Sequence, residues 1–468
     1  MTLSTLQAAF DEEAGGPRVA ALAAGVTVRG ATVFQAAHAV FQATHAVDEA
    51  TLFRVASVTK TFTALAVMQL VEQRRIGLDD PVNSRLRALR VQPPKAAPAV
   101  TVRHLLTHQA GLREPLRWSD LLRPSRFIGP RVGQRVPRLA DLYRTGITAR
   151  VTPGTAWSYS NDGYAILGQL VEDVTGTPYP GYVADEIWRA LGMSDSTFAP
   201  DQNASVAPGH RLRRGQLRPV PQRIVVKTAA GGAYSSLADM LRYAAALAEP
   251  SGGELVTAAT LEEMYRPHVL LADRVPYTGL GVFLDRIDGH RIVYHPGDFP
   301  GYEAALFVAP DDGVGAVVLC NSTARGAALR LARQLVTRAL GVDTDIDTDR
   351  GIEGRAADWL PAGVVDRVVG DYAAEPGWRQ NLRVAAMTGG RLTVAARDGG
   401  LVIKSRFGAL RAPRELVSVA GSDDMHFRLQ LRGAPYDRVP LDAVFLPGPD
   451  GRAERVDLGM LGARFHRR

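Results

Sequence analysis

A serine and a lysine stand three residues apart in the stretch FRVASVTKTFTALAVMQLVEQRRIGLDD, residues 53–80. Lys60 is one of only four lysines in the chain, and it follows Ser57 by about one turn of a predicted, mostly apolar helix. A serine hydroxyl is hardly ionised at neutral pH, so acyl transfer requires a base beside it. Burial and the positive end of the helix dipole both favour a neutral lysine amine. The pair predicts a nucleophile and its general base.

Backbone N–H groups at the start of the same helix would face a developing oxyanion. The simpler alternative is that Lys60 is a surface lysine whose stem lies along apolar neighbours while its amine reaches water. About 0.15 Ser-x-x-Lys matches are expected by chance in such a chain, so this pattern alone proves little.

The segment WSYSNDGY adds a tyrosine and an asparagine two residues apart. On an extended segment that spacing puts Tyr159 and Asn161 on one face. Tyr159 would relay protons between Ser57 and the leaving group, and Asn161 would hold a substrate carbonyl or Lys60. The alternative for Tyr159 is an ordinary half-buried loop tyrosine.

The segment HPGDFPGY places His295-Pro296-Gly297 at the end of the predicted strand RIVY. A glycine at a strand end lets a substrate approach the backbone. A His-x-Gly pattern is expected about once by chance, so its significance depends on its position after the other two motifs.

These residues need a sheet and helices to bring them together. Two apolar runs around Gly30 predict an N-terminal hairpin, and two later hairpins turn at Asp288-Gly289 and at residues 311–313. Helices are expected from Ser57 to Gly77, between Thr101 and Gly111, over residues 163–176, and over the segment GAALRLARQLVTRALG.

Three regions follow from this pattern. Residues 1–342 form the unit that holds the motifs, the acidic stretch 343–358 is a predicted linker, and residues 359–468 form a β-rich domain. Short apolar runs separated by Gly, Asp and Pro predict a small barrel or sandwich there. The fold class is α+β.

Composition excludes several classes of function. The net charge is +7 and all but four of the 55 basic residues are arginine, but no nucleic-acid-binding motif accompanies the nine arginines between Arg113 and Arg150. No apolar run is long enough to span a membrane, and no export signal is visible, so a cytoplasmic location is expected. The single cysteine, Cys320, excludes an intramolecular disulfide.

Taken in order, the three motifs resemble those of the serine β-lactamase and penicillin-binding-protein superfamily, in its class C-like branch. The segments TVRHLLTHQAGL and PGTAWSYSNDGYAILGQLVEDVTG are also similar to that branch. The resemblance implies a β-lactamase-like fold, an antiparallel sheet flanked by helices with a helical subdomain. It implies that Ser57 is acylated, that Lys60 and Tyr159 share general acid/base work, and that no metal or organic cofactor is needed.

The resemblance also assigns the binding groups. Substrate would be held by Asn161, His295 and Gly297, and the backbone N–H groups of Ser57 and Asp298 would form the oxyanion hole. His295 stands where class C β-lactamases usually carry a lysine, which weakens a cationic anchor for a substrate carboxylate or makes it pH-dependent. Efficient β-lactam turnover is therefore not expected.

His-x-Gly in this place is similar to D-aminopeptidases and related peptidases, some of which carry lipocalin-like C-terminal domains, and esterases of the superfamily also vary there. A D-amino-acid-type peptidase or carboxylesterase acting on a small molecule or short peptide is the expected function. The alternatives are an acyltransferase using the same Ser/Lys/Tyr site and a catalytically silent peptide-binding relative. A homo-oligomer is compatible with either.

Two further patterns have structural explanations. His104 and His108 lie four residues apart on a short predicted helix, but no third ligand accompanies them, so packing or capping is favoured over metal binding. Asp162 is expected to cap the helix that follows it rather than act as an acid.

Overall fold

The protein consists of a sheet flanked by helices, followed by a closed barrel. The computed structural model describes residues 2–39, 47–48, 50–112, 129–132, 134–144, 146–200, 204–249, 253–324, 326–342, 360, 363–375, 382–397, 399–419, 425–431, 439–459 and 463–468. These two architectures confirm the α+β class and the small β-barrel.

An eight-stranded antiparallel sheet is the centre of the first unit. Its order is β2-β1-β14-β13-β12-β11-β10-β9. The strands are β1 (Ala21–Val28), β2 (Ala31–Ala39), β9 (Val269–Leu271), β10 (Val275–Thr278), β11 (Phe283–Ile287), β12 (His290–Phe299), β13 (Tyr302–Ala309) and β14 (Val314–Cys320). Strands from both ends of the unit meet because β1 pairs with β14, with Leu22 opposite Cys320.

Helices cover both faces of this sheet. One face packs against α1 (Leu3–Ala14) and α10 (Ala327–Ala339). The other faces a larger core built from the remaining helices. These are α2 (Thr59–Glu72), α3 (Val102–Leu106), α4 (Leu139–Leu142), α5 (Asn161–Thr175), α6 (Tyr179–Val183), α7 (Thr228–Gly231), α8 (Leu237–Leu247) and α9 (Ala258–Tyr265).

Two pairs of short strands and one small three-stranded sheet complete the unit. They are β3 (Phe53–Arg54) with β8 (Tyr234–Ser235), β4 (Val91–Gln92) with β5 (Ile147–Thr148), and β6 (His210–Arg213) with β7 (Gln216–Pro219) and β15 (Ser322–Thr323). The β3–β8 pair matters for the site, because β3 leads directly into the turn that carries Ser57.

The C-terminal barrel closes through eight antiparallel strands around its own apolar core. The strands are β16 (Gly370–Ala374), β17 (Arg391–Arg397), β18 (Gly400–Ser405), β19 (Arg414–Ser418), β20 (His426–Leu431), β21 (Val439–Pro447), β22 (Ala453–Leu458) and β23 (Ala463–Arg467). Two short helices, α11 (Val364–Val368) and α12 (Leu382–Thr388), accompany them.

The barrel packs on the β9–β10 edge of the sheet. Val444 of β21 is fully buried in one apolar cluster with Trp157 and Tyr277. Beside it, Arg428 of the barrel donates to Asp285 of β11 at 2.7 Å and to Asp442 at 2.9 Å. Ion pairs removed from water depend on such complete pairing, so this junction fixes the barrel against the sheet.

Local differences from the sequence expectations have simple causes. The helix after Ser57 ends at Glu72, not at Gly77, because Arg74 adopts a left-handed conformation with φ 56°. The helix after Thr101 ends at Leu106, since His108 has φ 59°. The predicted linker 343–358 lies outside the described residues, so the domain boundaries at 342 and 359 stay predictions.

In the part of the chain that the structure describes, no helix has both the length and the apolar character needed to cross a membrane.

Candidate active site

Ser57 lies in a single 3-10 turn, Ala56–Val58, that leads into α2. Ala56 has φ 47°, a left-handed conformation that is uncommon for a residue with a Cβ. The Thr59 hydroxyl donates to the Ala56 carbonyl at 2.6 Å and accepts from the Ala233 N–H at 3.2 Å. These bonds hold the turn so that Ser57 stands ahead of the helix rather than within it.

Lys60 is fully buried on α2, a helix that has core neighbours on every side over residues 59–70. Its Nζ donates to Ser57 Oγ at 3.2 Å, to Asn161 Oδ1 at 2.7 Å and to the Ala230 carbonyl at 2.6 Å. The surface position considered for this lysine is therefore wrong. A buried amine with three oxygen partners is a fixed group directed at the serine.

Asn161 is brought to Lys60 by the start of α5. Ser160 is the N-cap of that helix, since its Oγ accepts from the Gly163 N–H at 3.0 Å. The sequence predicted that Asp162 caps this helix, but Ser160 is the cap and Asp162 is not. Instead it forms an ion pair with Lys227 at 2.7 Å and accepts from the Tyr143 hydroxyl at 2.5 Å.

The ion pair between Asp162 and Lys227 joins two elements that contact Lys60. Lys227 directly precedes α7, which carries the Ala230 carbonyl, and Asp162 directly follows Asn161. Removing either partner of a buried ion pair leaves the other charge without compensation, which destabilises the fold. It fixes the distance between two of the three oxygens around the Lys60 amine.

Tyr159 lies close to the same amine. Lys60 Nζ is 4.7 Å from the centre of the Tyr159 ring, and the tyrosine is only 9% exposed. The structure thus brings together all four side chains that the first two motifs predicted, namely Ser57, Lys60, Tyr159 and Asn161.

His108 also belongs to this site, although the sequence predicted only a packing or capping role for it. Its Nδ1 accepts from the Ser160 N–H at 3.1 Å, and its carbonyl accepts from the Ser158 N–H at 2.8 Å. The two backbone groups on either side of Tyr159 are therefore bonded to one residue. The His108 ring also lies 4.4 Å from the Tyr159 ring, so His108 positions both the backbone and the phenol.

The other histidine of that segment has a different role. His104 Nδ1 accepts from the Thr101 N–H at 3.2 Å, while the Thr101 hydroxyl accepts from the His104 N–H, which together make a capping box at the start of α3. Among the described residues, no group of three or more metal-ligating side chains comes together.

The third motif lies within β12, which continues to Phe299, and beside the turn that carries Ser57. A Cβ at Gly297 would come within 2.3 Å of the Val55 carbonyl, so only glycine permits this approach. Asp298 follows Gly297 and is paired across the sheet with Glu303 of β13. The close approach of β12 to the turn puts the backbone of residues 297–298 next to that of Ser57.

His295 is only 2% exposed and donates through Nδ1 to the Pro296 carbonyl at 2.7 Å. Its ring packs at 5.4 Å from that of Phe283. Burial, together with the nearby charge of Lys60, lowers the pKa of His295 to about 3. His295 is therefore neutral at physiological pH, where a lysine would be a cation.

Most hydrogen bonds in this site join residues that are far apart in the chain. Their partners could therefore not be predicted from the sequence. His108 and Ser160 are 52 positions apart, and Lys60 and Ala230 are 170 apart. A backbone carbonyl such as that of Ala230 carries no sequence signal. His108 had one, a histidine in TVRHLLTHQAGL, but its partner could not be read from spacing.

The family model described as Beta-lactamase matches residues 6–340, which is more than half of the chain and includes all three motifs. The chain belongs to the beta-lactamase family. Relatives in this family include an esterase and a D-aminopeptidase, and the chain is a serine hydrolase of this family.

Individual relatives cover different shares of the beta-lactamase-family chain. A D-aminopeptidase of Cereibacter sphaeroides is 25% identical over 438 residues, 88% of this chain and 78% of its own. Esterase EstB of Burkholderia gladioli is 34% identical over 194 residues, 37% of this chain and 47% of its own. The D-aminopeptidase alignment is long enough to extend beyond the family domain into the barrel.

A solved structure shows the same overall architecture. The octameric penicillin-binding protein homologue from Pyrococcus abyssi has a TM-score of 0.66 at 22% identity, covering 99% of this chain and all of that one. At this identity the likeness shows the fold, here with the barrel included.

Proposed function

We propose that this serine hydrolase forms an acyl-enzyme on Ser57 from an ester or amide, and that its substrates are D-amino-acid-type amides or small carboxylic esters rather than β-lactams. The observation that carries the proposal is the buried Lys60 amine, 3.2 Å from Ser57 Oγ and held by two further oxygens. A serine next to a fixed, buried amine has the base that acyl transfer requires.

The steps follow from the positions of the groups. Neutral Lys60 donates its two N–H groups to Asn161 and Ala230, which leaves its lone pair facing Ser57 Oγ. Ser57 Oγ attacks the carbonyl carbon while its proton passes to that lone pair, or to Tyr159 in its phenolate form, and the carbonyl oxygen becomes an oxyanion. Backbone N–H groups of Ser57 and Asp298 stabilise that charge. The protonated group then donates to the leaving amine or alcohol as the carbon–leaving-group bond breaks. A water deprotonated at the same place attacks the ester and releases Ser57.

Asn161 has two roles in this scheme. Its Oδ1 accepts from Lys60 at 2.7 Å, and the amide nitrogen on the same side chain can donate to a substrate carbonyl. The Asn161 side chain would thus orient the base and the acyl donor together. Proximity of this kind contributes a large part of the rate in enzymes that form covalent intermediates.

His295 argues against a substrate with a carboxylate at this end of the cleft. With a pKa of about 3 it supplies no positive charge under physiological conditions, and its Nδ1 is occupied by the Pro296 carbonyl. β-Lactams carry a carboxylate next to the bond that opens, so this site would bind them poorly. The names of two relatives, a D-aminopeptidase and an esterase, agree with neutral amides and esters.

A parallel rate assay on the purified protein tests the proposal. It compares a D-aminoacyl anilide, its L-isomer and a short-chain nitrophenyl ester, with Ser57→Ala as the blank. Faster Ser57-dependent cleavage of the D-anilide supports a D-amino-acid-directed peptidase, and cleavage of the ester alone supports a carboxylesterase. Rapid hydrolysis of a cephalosporin with neither of these activities would overturn the proposal.

An acyltransferase would use the same residues, with an amine or alcohol in place of water. The assay separates it when an added acceptor shifts the products from acid to ester or amide. A catalytically silent peptide-binding relative would form no acyl-enzyme with any activated ester.

A further inference from the structure

Two helices that start at the candidate active site end together at a second site. Ser57 and Lys60 stand at the start of α2 and Asn161 at the start of α5, while residues 74–75 and 173–174 stand at their other ends. A depression of about 530 Å³ lies between those ends. The 14 residues of α2 place it about 20 Å from Lys60, so it is separate from the candidate active site.

Arginine dominates the lining of this depression. The guanidinium-bearing residues are Arg74, Arg75, Arg85, Arg87 and Arg90. Leu86 and Val174 are the apolar residues among those that line it, so the surface is unlike the mostly apolar pockets that hold drug-like ligands.

One carboxylate, that of Asp173, belongs to the lining, and its oxygens are already bonded. Oδ2 accepts from the backbone N–H groups of Arg87 at 2.6 Å and of Ala88 at 3.2 Å, and Oδ1 accepts from Gln169 Nε2 at 3.0 Å. Asp173 therefore ties the arginine-bearing loop to α5. Five positive charges surround this single negative one.

None of the five arginines forms an ion pair with the residues that the structure describes. Some arginines elsewhere are neutralised by carboxylates, and others, such as Arg211 and Arg213, are exposed and form no ion pair with the described residues. Arg291 lies 2.7 Å from both Glu262 and Asp311, and Arg103 bonds to Asp79 at 2.7 Å. This cluster is distinguished because five such arginines line one depression, and their mutual repulsion reduces the stability of the folded state.

Backbone bonds hold two of these side chains in place. Arg75 Nη2 donates to the Val174 carbonyl at 2.6 Å, and Arg90 Nη1 donates to the Leu86 carbonyl at 2.8 Å. The negative end of the α2 dipole explains cations at positions 74 and 75. It does not explain Arg85 and Arg87, whose side chains come from a separate loop and face the same depression.

We infer that this depression binds a small anion carrying two or more phosphate groups. Guanidinium groups recognise phosphate oxygens through paired N–H donors, and several phosphates match several arginines better than one does. A bound polyanion would supply the negative charge that the surrounding residues lack. The inference depends on these arginines alone and not on the proposed function of Ser57.

Calorimetric titration with inorganic tripolyphosphate tests the inference. The Arg85→Gln/Arg87→Gln variant removes two side chains that make no hydrogen bond with the described residues, so its fold should persist. The matched control is Arg211→Gln/Arg213→Gln, which removes two exposed arginines from the β6–β7 hairpin. Binding to the parent protein and the control, with Kd raised at least about 10-fold in the pocket variant, is the expected result.

Two further measurements test whether the binding is electrostatic and whether the arginines repel one another. The Kd should rise with salt, because the attraction is electrostatic. Without anion, the pocket variant should melt at a higher temperature than the parent, since repulsion is relieved. Absence of tripolyphosphate binding, or equal weakening in both variants, would overturn the inference. Tighter binding of a single-stranded oligonucleotide than of tripolyphosphate would also overturn it, in favour of a nucleic-acid surface.

Discussion

At the scale of single residues, His295 shows how one substitution in a family motif changes the chemistry of a cleft. The side chain is buried, neutral and bonded to its own neighbour, where a lysine would carry a positive charge into the same place. The sequence left two possibilities, a weakened anchor or a pH-dependent one. With a pKa of about 3, the pH-dependent cation does not exist near neutral pH.

The depressed pKa of His295 predicts a contribution to stability that depends on pH. An unfolded histidine takes up a proton near pH 6.5, but the folded one stays neutral down to about pH 3. The stabilisation is complete above pH 6.5 and is lost as the pH falls toward 3. The free energy of unfolding should fall more steeply in the parent than in His295→Gln, by up to about 1.4 kcal/mol per pH unit.

Urea unfolding at pH 7, 6 and 5 measures this difference, with exposed His38→Gln as the control. His38→Gln should leave the parent slope unchanged. If His295→Gln also keeps the full slope, then His295 titrates normally in the folded protein and the argument about a neutral cleft is wrong.

At the scale of elements, the end of α3 holds the segment that carries Tyr159. Two histidines near that helix, His104 and His108, allow this role to be tested. His108 accepts from the N–H groups on both sides of Tyr159, while His104, four positions earlier, only caps α3. His108→Phe keeps an aromatic ring near Tyr159 but removes the Nδ1 acceptor. We expect kcat to fall by roughly 10-fold to 100-fold with KM nearly unchanged, because a small displacement of a proton-transfer group costs this much.

His108→Asn should recover part of the loss, because its Oδ1 can replace the acceptor and asparagine tolerates the left-handed backbone of this position. His104→Ala is the control and should cost about 1 kcal/mol of stability while leaving kcat intact. Equal kcat values for the Phe and Asn variants would show that His108 acts through packing alone, not by positioning Tyr159.

Elements also show what the sequence could and could not predict. Hairpins with a glycine at the turn, such as that at Asp288-Gly289, follow from local backbone preferences, and so do helices with regular apolar spacing. The end of α2 was misplaced because Arg74, not a glycine, takes the left-handed conformation. Ser57, Lys60, Tyr159 and Asn161 were predicted from motifs. The Ala230 carbonyl bonded to Lys60, the Lys227–Asp162 ion pair and the His108–Ser160 bond all depend on the fold, so their partners could not be predicted from the sequence.

At the scale of the whole molecule, the barrel and the catalytic unit share an apolar cluster that contains Tyr159. Val444 of the barrel and Trp157 belong to that cluster, and Trp157 lies two residues from Tyr159. Removing the barrel would expose this side of the tyrosine segment to water. The barrel is therefore expected to affect catalysis without supplying a catalytic group.

A chain ending at Asp349 tests that expectation. We predict that kcat/KM falls by roughly 10-fold or more, because the packing of the barrel against the Tyr159 cluster is lost. Arg428→Met in the full chain is a milder version, which leaves Asp285 and Asp442 without one of their cations and should cost about 3–5 kcal/mol. Exposed Arg411→Met is its control.

Light scattering on the same samples addresses assembly. The homo-oligomer considered from the sequence stays a prediction, and one solved neighbour is described as octameric. The barrel could act in assembly as well as in catalysis. A truncated chain with unchanged kinetics and an unchanged number of chains per particle would contradict both roles.

The most direct test of the central claim is intact-protein mass spectrometry after reaction with a fluorophosphonate, followed by peptide mapping. We expect one adduct on Ser57 in the parent protein and none in Ser57→Ala, with hydrolysis lost in parallel. An adduct that persists in Ser57→Ala, or that maps to another residue while activity remains, would contradict the assignment of Ser57 as the nucleophile.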